Sequence, residues 1–373
     1  MAWPDKDVPD TAWSLVGVWK AVRKSKSYGK GPVIVHCSAG VGRTGTFIAL
    51  DIIYDQICET GHVSVMKYVE NLREQRVNMV QTESQYMFLH DIVAEALGIG
   101  TMRIFQKQLS EVLVHLMEID EHSGLTRLQR QYNMLLRTDE DENHLQVYSN
   151  TPEFQSNKIW LPNVPGRDAY IAMKSVGEEE ILTVIRQHKV KFVIALDGGN
   201  AMNAIFSIED NKCKVIADSN ISLVDQADFG GFERTQYAIT NDQTTESMKI
   251  TVFSLKGWKE SHEVPENTKS VMTLMEDVYQ RDPSPDHSNP ILLYTRSDLS
   301  RCGVIYILMI EISRAHRDGE ICILQTALGM VAKSRKLLPT LEQYLFLYKC
   351  LATDAVSEST YENAVLMSRK DIL

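Results

Sequence analysis

The 373-residue sequence predicts an α/β protein in which helices flank a sheet. Residues 31–57, GPVIVHCSAGVGRTGTFIALDIIYDQI, have the pattern of a short buried strand, a glycine-rich loop and a helix. Residues 127–258 contain helical and then strand-like stretches. Residues 257–351 repeat the plan of the opening segment, with strand, loop and helix again in that order. These observations favour a domain of one sheet flanked by helices, of which the chain contains two copies.

The composition is that of a soluble globular chain with room for about two domains. Apolar residues make up 44% and charged residues 24% of the sequence. The net charge of -10 argues against nucleic acid as a partner, because backbone phosphates are held by clustered lysines and arginines. No apolar run approaches the roughly 20 residues that span a bilayer. The six cysteines lack zinc-ligand spacing, so we expect reduced thiols in the cytosol.

The loop HCSAGVGRTG, residues 36–45, places a thiol in a preformed anion site. A strand that leads through a glycine-rich loop into a helix aims backbone N–H groups into one concavity. Arg43 adds a planar guanidinium that can hold two phosphate oxygens. In that field the pKa of Cys37 should fall below its free value of about 8.5, which makes it the thiol most open to oxidation. A structural cysteine beside an accidental turn is the disfavoured alternative, because these features occur together.

Two further segments carry candidates for proton transfer and water activation. Asp5 lies between two prolines in the polar segment AWPDKDVPD, and a mobile loop could carry this acid to a leaving group. Downstream, Gln81 and Gln85 begin a helix, where a glutamine could orient the water that hydrolyses a covalent intermediate. Taken alone, Asp5 is more simply a solvated turn residue, and the glutamines are helix-cap or surface residues.

Together, WPD, VHCSAGVGRTG and QRVNMVQTESQY resemble the signature segments of the protein-tyrosine phosphatases, in the same order. The resemblance implies a twisted mixed central sheet flanked by helices, and a reaction that requires neither a metal nor an organic cofactor. It implies Cys37 as the nucleophile, Arg43 as a phosphate ligand, and Asp5 as the general acid and then the base. The implied phosphate-binding residues are Ser38, Ala39, Gly40, Val41, Gly42 and Arg43.

Three supporting roles follow from the same resemblance. His36 would tune the thiolate, Thr44 would ease its departure, and Gln81 would place the hydrolytic water. One position departs from the family pattern, since Asp7 stands where the family usually has glycine. We therefore expect altered closure of the acid loop, which bears on the rate of the reaction and not on its type.

The second copy has lost the residues that would perform this chemistry. Its Arg301 and Pro339 are as far apart along the chain as Arg43 and Gln81, so the two copies are in register. Thr295 stands at the position of the nucleophile, and a hydroxyl without a dedicated base does not ionise at neutral pH. Pro339 replaces the glutamine that would place the water. We therefore expect a catalytically silent domain.

Other positions of this degenerate site have changed as well. Lys259 and Glu260 stand in place of the proline and the acid, and Tyr294 replaces the histidine. Asp298 and Ser300 replace glycines. Asp298 is expected to bring a negative charge into the cradle. At an effective dielectric constant near 20, its repulsion of a phosphate would be on the order of several kcal/mol. Arg301 survives and is expected to form a structural ion pair.

The sequence predicts three regions. Residues 1–100 are interpreted as the C-terminal portion of a catalytic phosphatase domain, 101–355 as a complete pseudophosphatase domain, and 356–373 as a flexible tail. This tandem resembles the cytoplasmic part of receptor-type tyrosine phosphatases. Because the first copy begins at its acid loop, we expect a longer parent polypeptide, with any membrane segment upstream. We also expect residues 1–100 to leave helical apolar faces uncovered, since only VIV reads as a core strand.

Function is expected to be phosphotyrosine hydrolysis through a cysteinyl-phosphate, with phosphotyrosine proteins as partners and a cytoplasmic location. The alternative is a non-enzymatic regulatory or scaffold protein, in which the first copy is a remnant. A weaker third interpretation is a phosphatase of broader specificity. In the tail, Tyr361 followed by Glu-Asn-Ala resembles an adaptor-binding phosphotyrosine motif, although such short motifs also arise by chance.

Overall fold

The protein is described from a computed structural model, and the packing of its residues divides the chain into two compact units. Among the described residues, the first unit takes those within 3–104 and 111–131, and the second takes those within 105–110 and 132–352. The structure describes residues 3–9, 11–26, 28–62, 64–100, 103–119, 123–137, 158–162, 168–175, 177–197, 206, 208, 213–241, 244–282 and 289–352. Residues 111–131 therefore pack with the first unit, although the sequence assigned them to the second domain. The predicted boundary between the two sequence copies remains a prediction.

Four helices dominate the first unit. They are α1 (Ala12–Arg23), α2 (Gly42–Thr60), α3 (Val65–Gln75) and α4 (Glu83–Ala96). Their apolar faces form one buried core that includes Trp19, Leu50 and Phe88. At one end of this core the Asp51 carboxylate accepts hydrogen bonds from the Trp19 indole and the Arg23 guanidinium, at 2.8 and 2.7 Å. The helices thus cover one another across this core, where the expectation of uncovered apolar faces is wrong, while Val18, Ile52 and Met66 stay exposed.

The predicted VIV strand, residues 33–35, does not form. Val33 and Ile34 are 52% and 87% exposed, and the segment has no strand assignment. A buried parallel strand needs neighbouring strands to satisfy its backbone groups and cover its side chains. In the described part of residues 3–100 there is no other strand to pair with. The segment therefore delivers the loop to α2 without forming part of a sheet.

The second unit contains the sheet. The helices and strands that follow α4 along the chain are β1 (Ile104–Phe105), α5 (Leu109–Met117), α6 (Arg127–Arg137), β2 (Lys158–Pro162), β3 (Asp168–Lys174), α7 (Glu178–Gln187), β4 (Phe192–Ala195), β5 (Cys213–Ile216), β6 (Ser219–Asp228), β7 (Phe232–Asn241), β8 (Thr244–Leu255), α8 (Thr268–Arg281), β9 (Ile291–Thr295), α9 (Leu299–Asp318), β10 (Glu320–Ile321), α10 (Ile323–Val331) and α11 (Leu341–Leu351). Much of α5 and α6 packs with the first unit.

The sheet has eight strands in the order β2-β3-β9-β4-β8-β7-β6-β5. The strands β3, β9, β4 and β8 are parallel neighbours, and the pairs on either side of them are antiparallel. Helix α7 covers one face over a core that includes Val193 and Leu292, while α8 and α9 pack on the other face. The predicted mixed α/β fold is confirmed. Because β4 and β9 are parallel neighbours, the residues that follow them meet at one edge of the sheet.

Among the helices that the structure describes, none combines the length and the apolar composition that a membrane crossing requires.

Candidate active site

The cysteine loop of the first unit runs from His36 to the first turn of α2. Gly40 has a φ of +72°, a conformation that glycine adopts without steric cost. At Gly45 an added Cβ would lie 2.6 Å from the backbone nitrogen of Val80, so only glycine permits this approach. The Val41 carbonyl accepts hydrogen bonds from the N–H groups of both Gly45 and Val80, at 3.1 Å each. These hydrogen bonds therefore hold the loop against the segment that contains Val80.

The Cys37 side chain lies within a ring of donors. The Gly40 N–H donates to its sulfur at 3.2 Å. Burial raises the pKa of Cys37, but the hydroxyl and N–H of Thr44 and the N–H groups of Gly40 and Val41 outweigh it and lower the pKa to about 7. The Thr44 hydroxyl lies close enough to the sulfur to lower the pKa of Cys37, although among the described residues it makes no hydrogen bond of regular geometry. The thiolate is thus accessible at neutral pH, as the sequence predicts.

Arg43 and Asp5 come together across the mouth of the loop. One terminal nitrogen of Arg43 donates to the Asp5 carboxylate at 2.9 Å and to the Ser38 hydroxyl at 2.9 Å. The other donates to the carbonyl of Trp3 at 3.2 Å. The Asp5 side chain is 67% exposed, so this ion pair is screened by solvent and can exchange for another anion. The acid and the phosphate ligand named by the sequence therefore lie in direct contact.

The acid loop is held by its own hydrogen bonds. The Trp3 indole donates to the Asp7 carbonyl at 2.9 Å, and the Gln85 amide donates to the same carbonyl at 3.3 Å. The Asp7 carboxylate accepts from the Val8 N–H at 2.9 Å. Lys6 adopts a positive φ of 59° within this tight turn. Only the hydrogen bond from Val8 uses the Asp7 side chain, so the expected change in loop closure remains a prediction.

The remaining predicted residues lie around the loop in different environments. Gln81 is exposed, and its side-chain oxygen lies 3.2 Å from where a Cβ would project from Gly42, which places it against the loop. Its backbone N–H donates to the Gln85 side chain at 3.0 Å. His36 is exposed at the beginning of the loop. The pKa of Cys37 is lowered by Thr44 and the loop N–H groups, so the tuning role of His36 remains a prediction.

We expect alkylation of Cys37 by iodoacetamide to rise with pH around a midpoint near pH 7. The sign follows from the lowered pKa, because the reactive thiolate forms above it and is protonated below it. Cys322 offers an internal comparison, since burial raises its pKa to about 11. The measurement is mass spectrometry of alkylated peptides after timed exposure at several pH values. A Cys37 midpoint near that of an ordinary thiol would contradict the assembled loop.

The corresponding loop of the second unit follows β9 and leads into α9. Thr295 is fully buried at the end of β9, and its hydroxyl donates to the Asp197 carboxylate at 2.9 Å. The Ser297 hydroxyl donates to the same carboxylate oxygen at 3.0 Å, and the Arg296 N–H donates to the other oxygen. Asp197 follows β4, the strand that pairs with β9. A carboxylate therefore occupies the centre of this loop.

Arg301 is buried beneath this carboxylate and repeats the pattern of Arg43. It donates to the carbonyls of Leu196, Trp258 and Lys259 at 2.8–3.0 Å, and it lies 3.7 Å from the Asp197 carboxylate. Its guanidinium also lies 4.9 Å from the centroid of the Trp258 ring. The structural ion pair expected for Arg301 is present. The partner, Asp197, could have been suspected from an acid that directly follows the buried strand of KFVIALDGG.

Several other degenerate positions lie at the surface of this unit. Asp298 is exposed and accepts a hydrogen bond from the Ser300 N–H at 2.7 Å, so it caps α9. The carboxylate inside the loop is that of Asp197, while the charge of Asp298 acts on Arg301 from outside the loop. Glu260 and Pro339 are exposed, and Lys259 pairs with Glu266 at 2.6 Å. Tyr361 lies outside the described residues.

In the described parts of the chain no cluster of histidine, cysteine, aspartate and glutamate is arranged to hold a metal ion.

Comparison with known proteins agrees with this geometry. The family model for protein-tyrosine phosphatase matches residues 1–95 and 147–353. The chain is 23% identical to tyrosine-protein phosphatase Lar of Drosophila melanogaster, over 97% of this chain and 20% of that protein. It is 25% identical to receptor-type tyrosine-protein phosphatase alpha of Homo sapiens, over 97% of this chain and 49% of that protein. The chain thus spans at most about half the length of these relatives. By the family model and by the assembled cysteine loop, the chain belongs to the protein-tyrosine phosphatase family.

Proposed function

We propose that the first unit hydrolyses phosphotyrosine through a cysteinyl-phosphate intermediate on Cys37. The observation that carries the proposal is the pKa of Cys37, lowered to about 7 inside a loop that Arg43 and Asp5 close. A thiolate, an oxyanion clamp and an acid within one small site are the parts that displacement at phosphorus requires. The relatives named above are tyrosine-protein phosphatases, which is why phosphotyrosine is the substrate class proposed.

The proposed reaction begins when a phosphate displaces the exposed Asp5 carboxylate from Arg43. The Cys37 sulfur attacks phosphorus, the phosphorus–oxygen bond to the tyrosine breaks, and Asp5, in its protonated form, gives its proton to the phenolate oxygen. Water placed by Gln81 then attacks the cysteinyl-phosphate and returns a proton to Asp5, which releases phosphate and the thiolate. Arg43 and the loop N–H groups hold the phosphate oxygens throughout.

The second unit, in this proposal, is a catalytically silent copy of the same domain. Its acid-equivalent loop shares the hydrogen-bond plan of the first, since the Trp258 indole donates to the His262 carbonyl as the Trp3 indole donates to that of Asp7. The Gln343 amide donates to the Glu263 carbonyl, just as the Gln85 amide donates to the Asp7 carbonyl in the first unit. With Thr295 in place of a cysteine, no thiolate is available. Because the human relative is named a receptor-type phosphatase, we also propose that this chain is the cytoplasmic part of a receptor-like protein and acts on phosphotyrosine proteins.

Phosphate release from matched phosphotyrosine and phosphoserine peptides tests this function. We expect turnover of the phosphotyrosine peptide by the purified chain and little turnover of the phosphoserine peptide, because the relatives named above are tyrosine-protein phosphatases. Equal turnover of both would favour a broader-specificity phosphatase. A folded chain that releases no phosphate from either peptide would contradict catalysis by this chain and favour the scaffold alternative.

A further inference from the structure

The carboxylate of Asp197 lies where an oxyanion would lie in a working loop. It receives donors from Thr295, Arg296 and Ser297, which are the residues at the beginning of the loop that leads into α9. Its side chain is 9% exposed, and the Arg301 guanidinium lies 3.7 Å away. Side-chain hydroxyls, a backbone N–H and an arginine that converge on one point are a set that binds tetrahedral oxyanions as well as carboxylates.

The two loops hold their internal carboxylates very differently. In the first unit, Asp5 is 67% exposed and pairs with Arg43 from a surface turn, so solvent and substrate can replace it. In the second unit, Asp197 follows a strand in the middle of the sheet and is buried with the side chain of Arg301, which is 4% exposed. Replacing it would leave a buried charge without its partners, which is strongly unfavourable. The first carboxylate is exchangeable and the second is fixed.

We propose that Asp197 is an internal ligand that closes an oxyanion site in the second unit. The site keeps the donors and the arginine of a phosphate cradle, and its chemistry suits phosphate or another tetrahedral oxyanion. It does not take one because Asp197 occupies it with the same sign of charge. This inference rests on the proposal that the second unit is a silent phosphatase copy. It adds that the second unit fails to bind a phosphate group, in addition to lacking a nucleophile.

Tungstate binding by the full chain tests this site. The parent for the test carries Arg43→Ala, so that the first loop does not bind the anion. Asp197→Ala removes both the charge and the volume of the carboxylate, and Asp197→Asn removes the charge alone with less risk to folding. Asp218→Asn is the matched control, because Asp218 is a partly exposed carboxylate of the same unit that pairs with Arg186 at 2.7 Å. Binding is measured by calorimetry and by the amide resonances of Ser297 and Ser300 in serine-labelled protein.

We expect the Arg43→Ala parent and the Asp218→Asn control to leave the Ser297 and Ser300 resonances unmoved. With Asp197 replaced, we expect one tungstate per chain to bind at least about tenfold more tightly and to shift those resonances. Tungstate binding at these serines in the parent would overturn the proposal. So would the absence of binding in Asp197 variants that remain folded. Phosphopeptide turnover is measured on chains with Arg43 intact, so a failure here leaves the proposed function of Cys37 standing.

Discussion

Replacement of Cys37 by serine is expected to lower phosphate release from a phosphotyrosine peptide by roughly 10⁴-fold or more, because the covalent route loses its nucleophile. A serine hydroxyl remains protonated at neutral pH, whereas the surroundings of Cys37 lower its pKa to about 7. The loop backbone and Arg43 are also held by hydrogen bonds that do not involve the sulfur, since the Val41 carbonyl accepts from the Gly45 and Val80 N–H groups and the Ser38 hydroxyl accepts from Arg43. The variant should therefore still bind the peptide while failing to turn it over.

The matched control is Cys58→Ser. Cys58 is an exposed thiol near the end of α2, in the same unit as Cys37 and outside the loop. Phosphate release by this variant should equal that of the unmodified chain, measured by a dye assay for inorganic phosphate. Activity that survives in the Cys37→Ser variant would mean that the reaction does not use this thiol. An equal loss in both variants would point to a general effect of removing thiols from the unit.

Replacement of Asp5 by asparagine is expected to lower kcat for the phosphotyrosine peptide by roughly 10²–10⁴-fold. The amide cannot give a proton to the departing tyrosine oxygen, although it can still accept a hydrogen bond from Arg43 in place of the 2.9 Å ion pair. The loss should shrink for a nitrophenyl phosphate, because a good leaving group needs little protonation. This dependence on the leaving group separates a lost acid from a misplaced loop.

Asp7→Asn serves as the comparison within the same turn. It removes a negative charge two positions away, and its amide oxygen can still accept the hydrogen bond from the Val8 N–H. Steady-state kinetics with both substrates should show Asp7→Asn close to the parent chain. If Asp5→Asn reduced turnover of the two substrates equally, Asp5 would be supporting the loop without acting as the acid.

Much of the first site follows from local sequence. The positive φ of Gly40 and the N–H groups that face Cys37 involve residues within a few positions of one another, whereas the contacts of Val41 and Gly45 with Val80 join distant segments. The pairing of Asp5 with Arg43 joins residues far apart in the chain, and the resemblance assigned both residues to one site without predicting their ion pair. The strand over VIV was predicted wrongly because a strand depends on neighbours that its own residues do not specify.

The second site was harder to predict from sequence because its central residue, Asp197, follows a different strand from the loop. Asp298 has the right sequence position to oppose a phosphate, but a residue just before a helix is also a favoured N-cap, and that local role prevails. Asp197 reaches the loop only because β4 and β9 pair side by side. Sheet order is set by packing of the whole unit, so no local pattern around Thr295 could reveal this carboxylate.

The central claim is that Cys37 carries the phosphate during turnover, and trapping this intermediate tests it most directly. The purified chain would be mixed with a phosphotyrosine peptide, quenched in acid within milliseconds, digested and analysed by mass spectrometry. We predict a phosphate on the peptide that contains Cys37, absent from the Cys37→Ser chain and decaying as free phosphate forms. Phosphate release without any modification of Cys37, or a phosphate carried on a residue of the second unit, would contradict the account.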